Sequence, residues 1–140
     1  MSVSEDVLRS VHVAAKAAAD KLADDIVAID VTGRLPFADA FLIASADTDR
    51  QLRAIVSEII DELAKVGVKS GTREGTEEAR WVAFEAGGLF IHVFQAEDRE
   101  FYGLERLWKD CPRIDISADI DVRAVGVGDL VSGDVAPSQV

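Results

Sequence analysis

The chain has 140 residues, of which 49% are apolar and 29% charged, with 26 acids against 15 bases for a net charge of −11. That is the length of one domain, enough to bury roughly two thirds of its unfolded surface in a single core. The charge argues against a grip on nucleic acid through its phosphates, which needs clustered cations, and against an anionic membrane surface. The single cysteine, Cys111, excludes an internal disulfide framework and a cysteine-rich zinc cluster. No stretch approaches the roughly 18 apolar residues of a membrane span. The N-terminal segment carries Glu5, Asp6, Arg9 and Lys16 through its apolar positions, unlike a signal peptide. The expectation is a soluble, cytoplasmic, single-domain protein.

Ser4 to Asp24 predicts a helix. Ser4 is the N-cap, Glu5 and Asp6 sit where the helix dipole favours acids, and Val7, Val11, Ala14, Ala18 and Leu22 recur at helical spacing. Ile26 to Val31 is short and β-branched, a strand, and Thr32 to Pro36 is loop chemistry. Ala40 to Ala46 is a second strand, too continuously apolar for a sheet wet on one face. Asp47, Thr48 or Asp49 then caps a helix with Leu52, Ile55, Val56, Ile59, Ile60, Leu63 and Val66 on its apolar face, and Gly67 ends it. Val68 to Gly71 reads as a short strand and Thr72 to Arg80 as a loop. Trp81 to Glu85 and Leu89 to Gln95 flank Ala86-Gly87-Gly88, a strong hairpin signal. Glu97 to Lys109 reads as helical, hinged at Gly103 and stopped by Pro112.

From Asp115 onward Asp, Val, Gly and Ser dominate. Residues 113–140 read as an acidic, mostly flexible tail, with room for a short strand around Ile120 to Val127. The order of elements predicts an α/β domain over residues 1–112: a mixed sheet of about five strands flanked by helices.

Few residues suggest bond-making chemistry. The glycines fit neither spacing of a phosphate loop. Asp47 and Asp49 resemble a magnesium-holding pair, but they stand where a helix begins and a capping role explains them. His12 lies on a helix, and His92 shares a strand face with Phe90 and Phe94; neither has a nucleophile in view. Ser45 has no nucleophile motif around it, and Cys111 precedes Pro112 as an incidental thiol. The aromatics Trp81, Phe101, Tyr102 and Trp108 divide evenly between core packing and interface contact on physical grounds.

Ala38-Asp39-Ala40-Phe41-Leu42-Ile43 runs into Asp49-Arg50-Gln51; then come Glu74-Gly75, Trp81, Ile91-His92-Val93-Phe94 and Arg99-Glu100-Phe101-Tyr102-Gly103-Leu104-Glu105-Arg106-Leu107-Trp108. Together these resemble the ribosomal silencing factor family, RsfS, also called Iojap-like, over about residues 5–112. The resemblance implies a translation repressor, not an enzyme. Such a protein binds ribosomal protein fourteen of the large subunit, blocks joining of the two subunits and damps translation in starvation or stationary phase. It implies a fold resembling a nucleotidyltransferase core without the active site, no cofactor or metal, and a homodimer when free.

The family's contact positions match at Asp39, Arg50, Trp81, His92, Arg99, Tyr102, Leu104 and Trp108. Of these, Trp81, Tyr102 and Leu104 are the expected apolar centre. Asp39, Glu74, Glu100 and Glu105 are expected to meet basic partner residues, in keeping with the acidic charge. The chain departs from the family at Ala40, where an aromatic is usual, at Ala46-Asp47, where a glycine is usual nearby, and at Glu85, where an aspartate is usual. Two rival readings are a small nucleotidyltransferase using Asp47 and Asp49, and a regulatory subunit of some other complex.

Overall fold

The computed structural model describes residues 3–120, apart from the side chains of Phe101 and Tyr102. The first helix, α1, runs Glu5–Asp20, with the Ser4 hydroxyl accepting the Val7 N–H at 3.3 Å. It stops short of the predicted end because Leu22 takes a left-handed backbone, φ 63°, and turns outward, 61% exposed. Its seam of Val7, Val11, Ala14, Ala15 and Ala18 is small enough to lie close on a sheet.

Strand β1 is Asp24–Asp30 and β2 is Ala40–Ala46, the latter buried at every residue. Helix α2, Asp49–Lys65, is capped by Thr48, whose hydroxyl accepts the Gln51 N–H at 3.1 Å. Gly67 follows it in the left-handed region that a helix end asks for. Strands β3, Trp81–Ala86, and β4, Leu89–Gln95, form the expected hairpin. Gly87 and Gly88 both have positive φ, and the Glu85 carboxylate accepts the Gly88 N–H at 2.9 Å across the turn. The predicted final helix is two: α3, Ala96–Tyr102, and α4, Leu104–Leu107, separated by left-handed Gly103.

The sheet has the order β1-β2-β4-β3, with β2 and β4 parallel and the outer pairs antiparallel. Four strands stand among the described residues, not the five expected. The predicted strand at Val68 to Gly71 does not form. Instead the Gly71 N–H donates to the Glu85 carbonyl at 2.8 Å and the Glu74 N–H to the Ala83 carbonyl at 2.9 Å, and Gly75, with φ 86°, then turns the chain away. This strip covers the outer edge of β3.

The β1 edge is covered too. The Asp30 N–H donates to the Pro112 carbonyl at 2.8 Å and the Ile114 N–H to the Ala28 carbonyl at 2.9 Å. The stretch assigned to the tail therefore begins inside the fold: Ile114, Ile116 and Ile120 pack on the core, and His12 Nδ1 meets the Asp119 carboxylate at 2.6 Å. Both sheet edges are thus protected from stray pairing. The remainder of the expected tail, with most of the strand suggested around Ile120 to Val127, lies outside the described residues.

Side chains alternate between the two faces of the sheet. Ala40, Leu42, Ala44, Ala46, Leu89, Ile91, Val93, Val82 and Phe84 face α1 and α2 and form the main core. Ala40 therefore points into the helix layer. Ile29, Phe41, Ile43 and Phe94 form a smaller core on the other face, with Cys111 brought over it.

Candidate functional site

The second face of the sheet carries most of the aromatic rings. Phe41, on the central strand, meets His92 edge-on with centroids 5.1 Å apart and Trp108 edge-on at 5.5 Å. Phe90 lies 5.5 Å from Phe37, and Trp81 stacks on Phe94 at 4.8 Å. Phe94 and Phe41 are buried, whereas Trp81, Phe90, Leu104 and Trp108 are only half-buried. Phe37 is 63% exposed. A contiguous apolar area of this kind, open at its margin, is what a protein-docking surface looks like.

Its polar groups are arranged to hold it rigid. The Trp81 indole N–H donates to His92 Nδ1 at 3.2 Å, so the neutral imidazole carries its proton on Nε2. His92 is almost fully buried, and loss of water around it lowers its pKa to about 4. It is neutral at physiological pH and is no proton shuttle there. Arg99, buried on α3, donates to the Ser45 hydroxyl at 2.7 Å, to the Asp25 carbonyl and to the Glu105 carboxylate at 2.7 Å. That hydrogen bond, reinforced by the charges of Arg99 and Arg113, holds the Glu105 carboxyl below its ordinary pKa. One guanidinium thus ties α3 to β2, to the bulge in β1 and to α4 across the Gly103 break. Arg80 pairs at the rim with Glu97 at 3.1 Å and Asp98 at 2.8 Å.

Four of the expected contact residues come together here: Trp81, His92, Leu104 and Trp108. Arg99 on α3 and Glu105 on α4 pair with each other, and Glu105 remains half-buried at the surface. Tyr102 ends α3, and its side chain lies outside the described residues. Glu100 is exposed on α3. Asp39 is half-buried at the start of β2, its N–H donating to the Gly88 carbonyl at 2.9 Å. Glu74 is exposed on the strip along β3, and Arg50 is exposed in the first turn of α2, in the opposite layer. Asp47 and Asp49 are exposed beside the Thr48 cap, and the Asp47 N–H donates to the Gln51 side chain at 2.7 Å.

Sequence reasoning missed Phe37. The signal was a large apolar residue directly after Pro36, inside a segment of loop chemistry. It also missed the Arg99–Ser45 bond, because nothing local links residues 54 positions apart. Among the described residues no three metal-capable side chains converge, and no helix is long and apolar enough to cross a membrane.

A family model described as ribosomal silencing factor during starvation matches residues 4–127, beyond the end at 112 expected from the motifs. The ribosomal silencing factor RsfS of Bacillus subtilis is 42% identical over 104 residues, 74% of this chain and 88% of that protein. The protein of the same name from Halalkalibacterium halodurans is 35% identical over 109 residues, 78% of this chain and 93% of its own length. The crystal structure of a Chromobacterium violaceum protein superposes with a TM-score of 0.71 at 27% identity, covering 74% of this chain and 86% of that one.

Proposed function

The chain belongs to the ribosomal silencing factor family, and from that premise we propose that it silences translation by occupying the large ribosomal subunit. It docks on ribosomal protein fourteen at the face that meets the small subunit, and its bulk blocks subunit joining. The action requires a shape held in place, with no bond made or broken, so the protein works as a cytoplasmic repressor and not as an enzyme. When free, it pairs with a second copy.

The observation that carries this reading is the half-covered aromatic face around Trp81, Phe90 and Phe37. Aromatic anchors at the centre of an interface supply most of the binding energy. The charge of −11 supports a basic partner, because complementary charge speeds encounter and orients docking. It also suppresses indiscriminate adhesion to ribosomal RNA.

The test is to mix the purified protein with isolated large subunits and, separately, with isolated small subunits, and to sediment each mixture through sucrose at moderate salt. The expected result is travel with the large subunit alone, and fewer joined ribosomes when small subunits are then added. Protein left at the top of both gradients refutes docking. Co-sedimentation with undiminished joining refutes the blocking step.

A further inference from the structure

A second concavity lies in the opposite layer, away from the aromatic face. It is a cleft of about 550 Å³ between the outer side of α2 and the loop that precedes β3. That volume falls within the ordinary range for small-molecule sites. Its floor is apolar: Val56 and Val82 are buried, and Ile60 is half-buried beside them. Arg53, Ser57 and Asp61 stand four residues apart along one line of α2, so they share one wall. Arg73 and Thr76 form the facing wall, on the loop.

The two arginines stand out in a chain with 26 acids against 15 bases. Arg53 is oriented by donating from Nη2 to the Glu77 carbonyl at 3.0 Å, which occupies one of its five N–H groups. Arg73 is exposed, with no hydrogen bond or ion pair among the described residues. A guanidinium is a planar fork of donors that suits phosphate oxygens, and Arg53 and Arg73 line this cleft from its two walls. The apolar floor suits a flat ring. Asp61, an acceptor, stands eight residues along α2 from Arg53, roughly 12 Å at the helical rise. That separation accommodates a phosphate at one end and an amino-bearing ring at the other.

We infer that this cleft binds a nucleoside monophosphate or a close relative. Its phosphate lies between Arg53 and Arg73 with the Ser57 and Thr76 hydroxyls, its base on Val56, Ile60 and Val82, and its exocyclic amine toward Asp61. The inference rests on the cleft alone and is independent of the docking face, which lies across the sheet. The site needs no metal and implies no reaction.

The test is equilibrium binding of AMP, of inorganic phosphate and of adenosine to the full-length protein and to Arg73→Glu, read by chemical-shift perturbation and calorimetry. Arg73 makes no internal bond, so the variant is expected to melt as the wild type does. AMP is expected to bind saturably, to perturb amides of α2 and the 72–80 loop, and to weaken as salt rises. Phosphate and adenosine alone are expected to bind about tenfold or more weakly, and Arg73→Glu to weaken AMP by about tenfold or more. Asp61→Asn is expected to weaken AMP, and to strengthen inosine monophosphate, whose ring carbonyl can accept from the new amide N–H, so that the preference between the two narrows. Absence of saturable AMP binding at millimolar concentration, adenosine binding equal to AMP, or full affinity in Arg73→Glu overturns the inference. Arg73→Glu is expected to sediment with large subunits like the wild type, so failure of the cleft and failure of the docking reading are told apart.

Discussion

Replacing Arg99 with alanine tests whether α3 and α4 are held to the sheet by one buried guanidinium. Arg99 is 7% exposed and donates to Ser45, itself 1% exposed, to the Asp25 carbonyl and to Glu105. In the alanine variant the Ser45 hydroxyl stays buried without a partner. Removing one member of a fully buried pair costs about 3–5 kcal/mol. The Glu105 side chain is 32% exposed and rehydrates in part, so the expected cost is about 2–4 kcal/mol. For a domain of this size that lowers the melting temperature by roughly 6–15 °C.

The assay is thermal denaturation followed by circular dichroism at several pH values, with Arg99→Met to restore volume and Glu105→Gln to close a double-mutant cycle. Glu105 has a lowered pKa in the folded protein, chiefly through its bond to Arg99. Its contribution is therefore present above the unfolded carboxyl pKa and fades as pH falls through the folded value. The gap between wild type and Arg99→Ala is expected to be widest near neutrality and to narrow below about pH 4. A variant that melts within measurement error of wild type at neutral pH refutes the strut. A large gap independent of pH assigns the loss to Arg99's packing and its bonds to Ser45 and the Asp25 carbonyl, and not to the ion pair.

Trp81→Ala is expected to weaken large-subunit binding by about 2 kcal/mol, near thirtyfold, in a co-sedimentation titration; wild-type affinity in a folded variant counts against the aromatic face. The His92 ring is expected to titrate by NMR near its lowered pKa of about 4. Because the unfolded ring takes its proton nearer 6.5, stability should fall as pH drops from there toward 4, and His92→Phe should remove that slope. Gly75→Ala and Gly33→Ala make a matched pair, both at positive φ, 86° and 85°. A Cβ at Gly75 falls 2.1 Å from the Trp81 carbonyl oxygen, whereas at Gly33 nothing lies within 4 Å. Gly33→Ala is therefore expected to cost only the backbone strain, about 1 kcal/mol, and Gly75→Ala clearly more, read by denaturant titration; equal costs refute the clash.

What was legible in the sequence follows from how local the physics is. Apolar continuity at 40–46 marked a strand buried on both faces, and β2 is that strand. The cap within Asp47-Thr48-Asp49, which the structure gives to Thr48, the glycines of the hairpin and the break at Gly103 are decided within a turn of chain, so they stand where the residue types ask. The strand expected at Val68 to Gly71 failed because Val-Lys-Ser-Gly has strand-like beginnings but no partner offering a full ladder. Three backbone bonds to β3, one at Gly71 and a reciprocal pair between Glu74 and Ala83, form before Gly75 turns. The end of the fold was misjudged for a similar reason. Ile114 and Ile116 look isolated in an acidic stretch, yet the exposed edge of β1 gives their backbone a place to pair.

The two faces of the sheet differ in how completely they are covered. α1 and α2 bring some thirty residues of helix over one side, and their small and branched side chains close it. Across the other side, among the described residues, the chain brings two short helices and the turn after them, from which Leu104 on α4 and then Trp108 and Cys111 in the turn reach the rings. Phe94 and Ile43 are sealed by that cover, whereas Trp81 and Phe90 remain at its edge and Phe37 stands beyond it. An open aromatic margin invites self-association, the pairing proposed above for the free protein, and a net charge of −11 weakens that pairing through repulsion between copies. A basic protein surface reverses that balance, because the same charge then attracts. On the docking reading proposed above, selectivity needs no recognition pocket: the acidic surface would admit basic partners, and the ring geometry, held by Arg99 and the Trp81–His92 bond, would decide which of them fits.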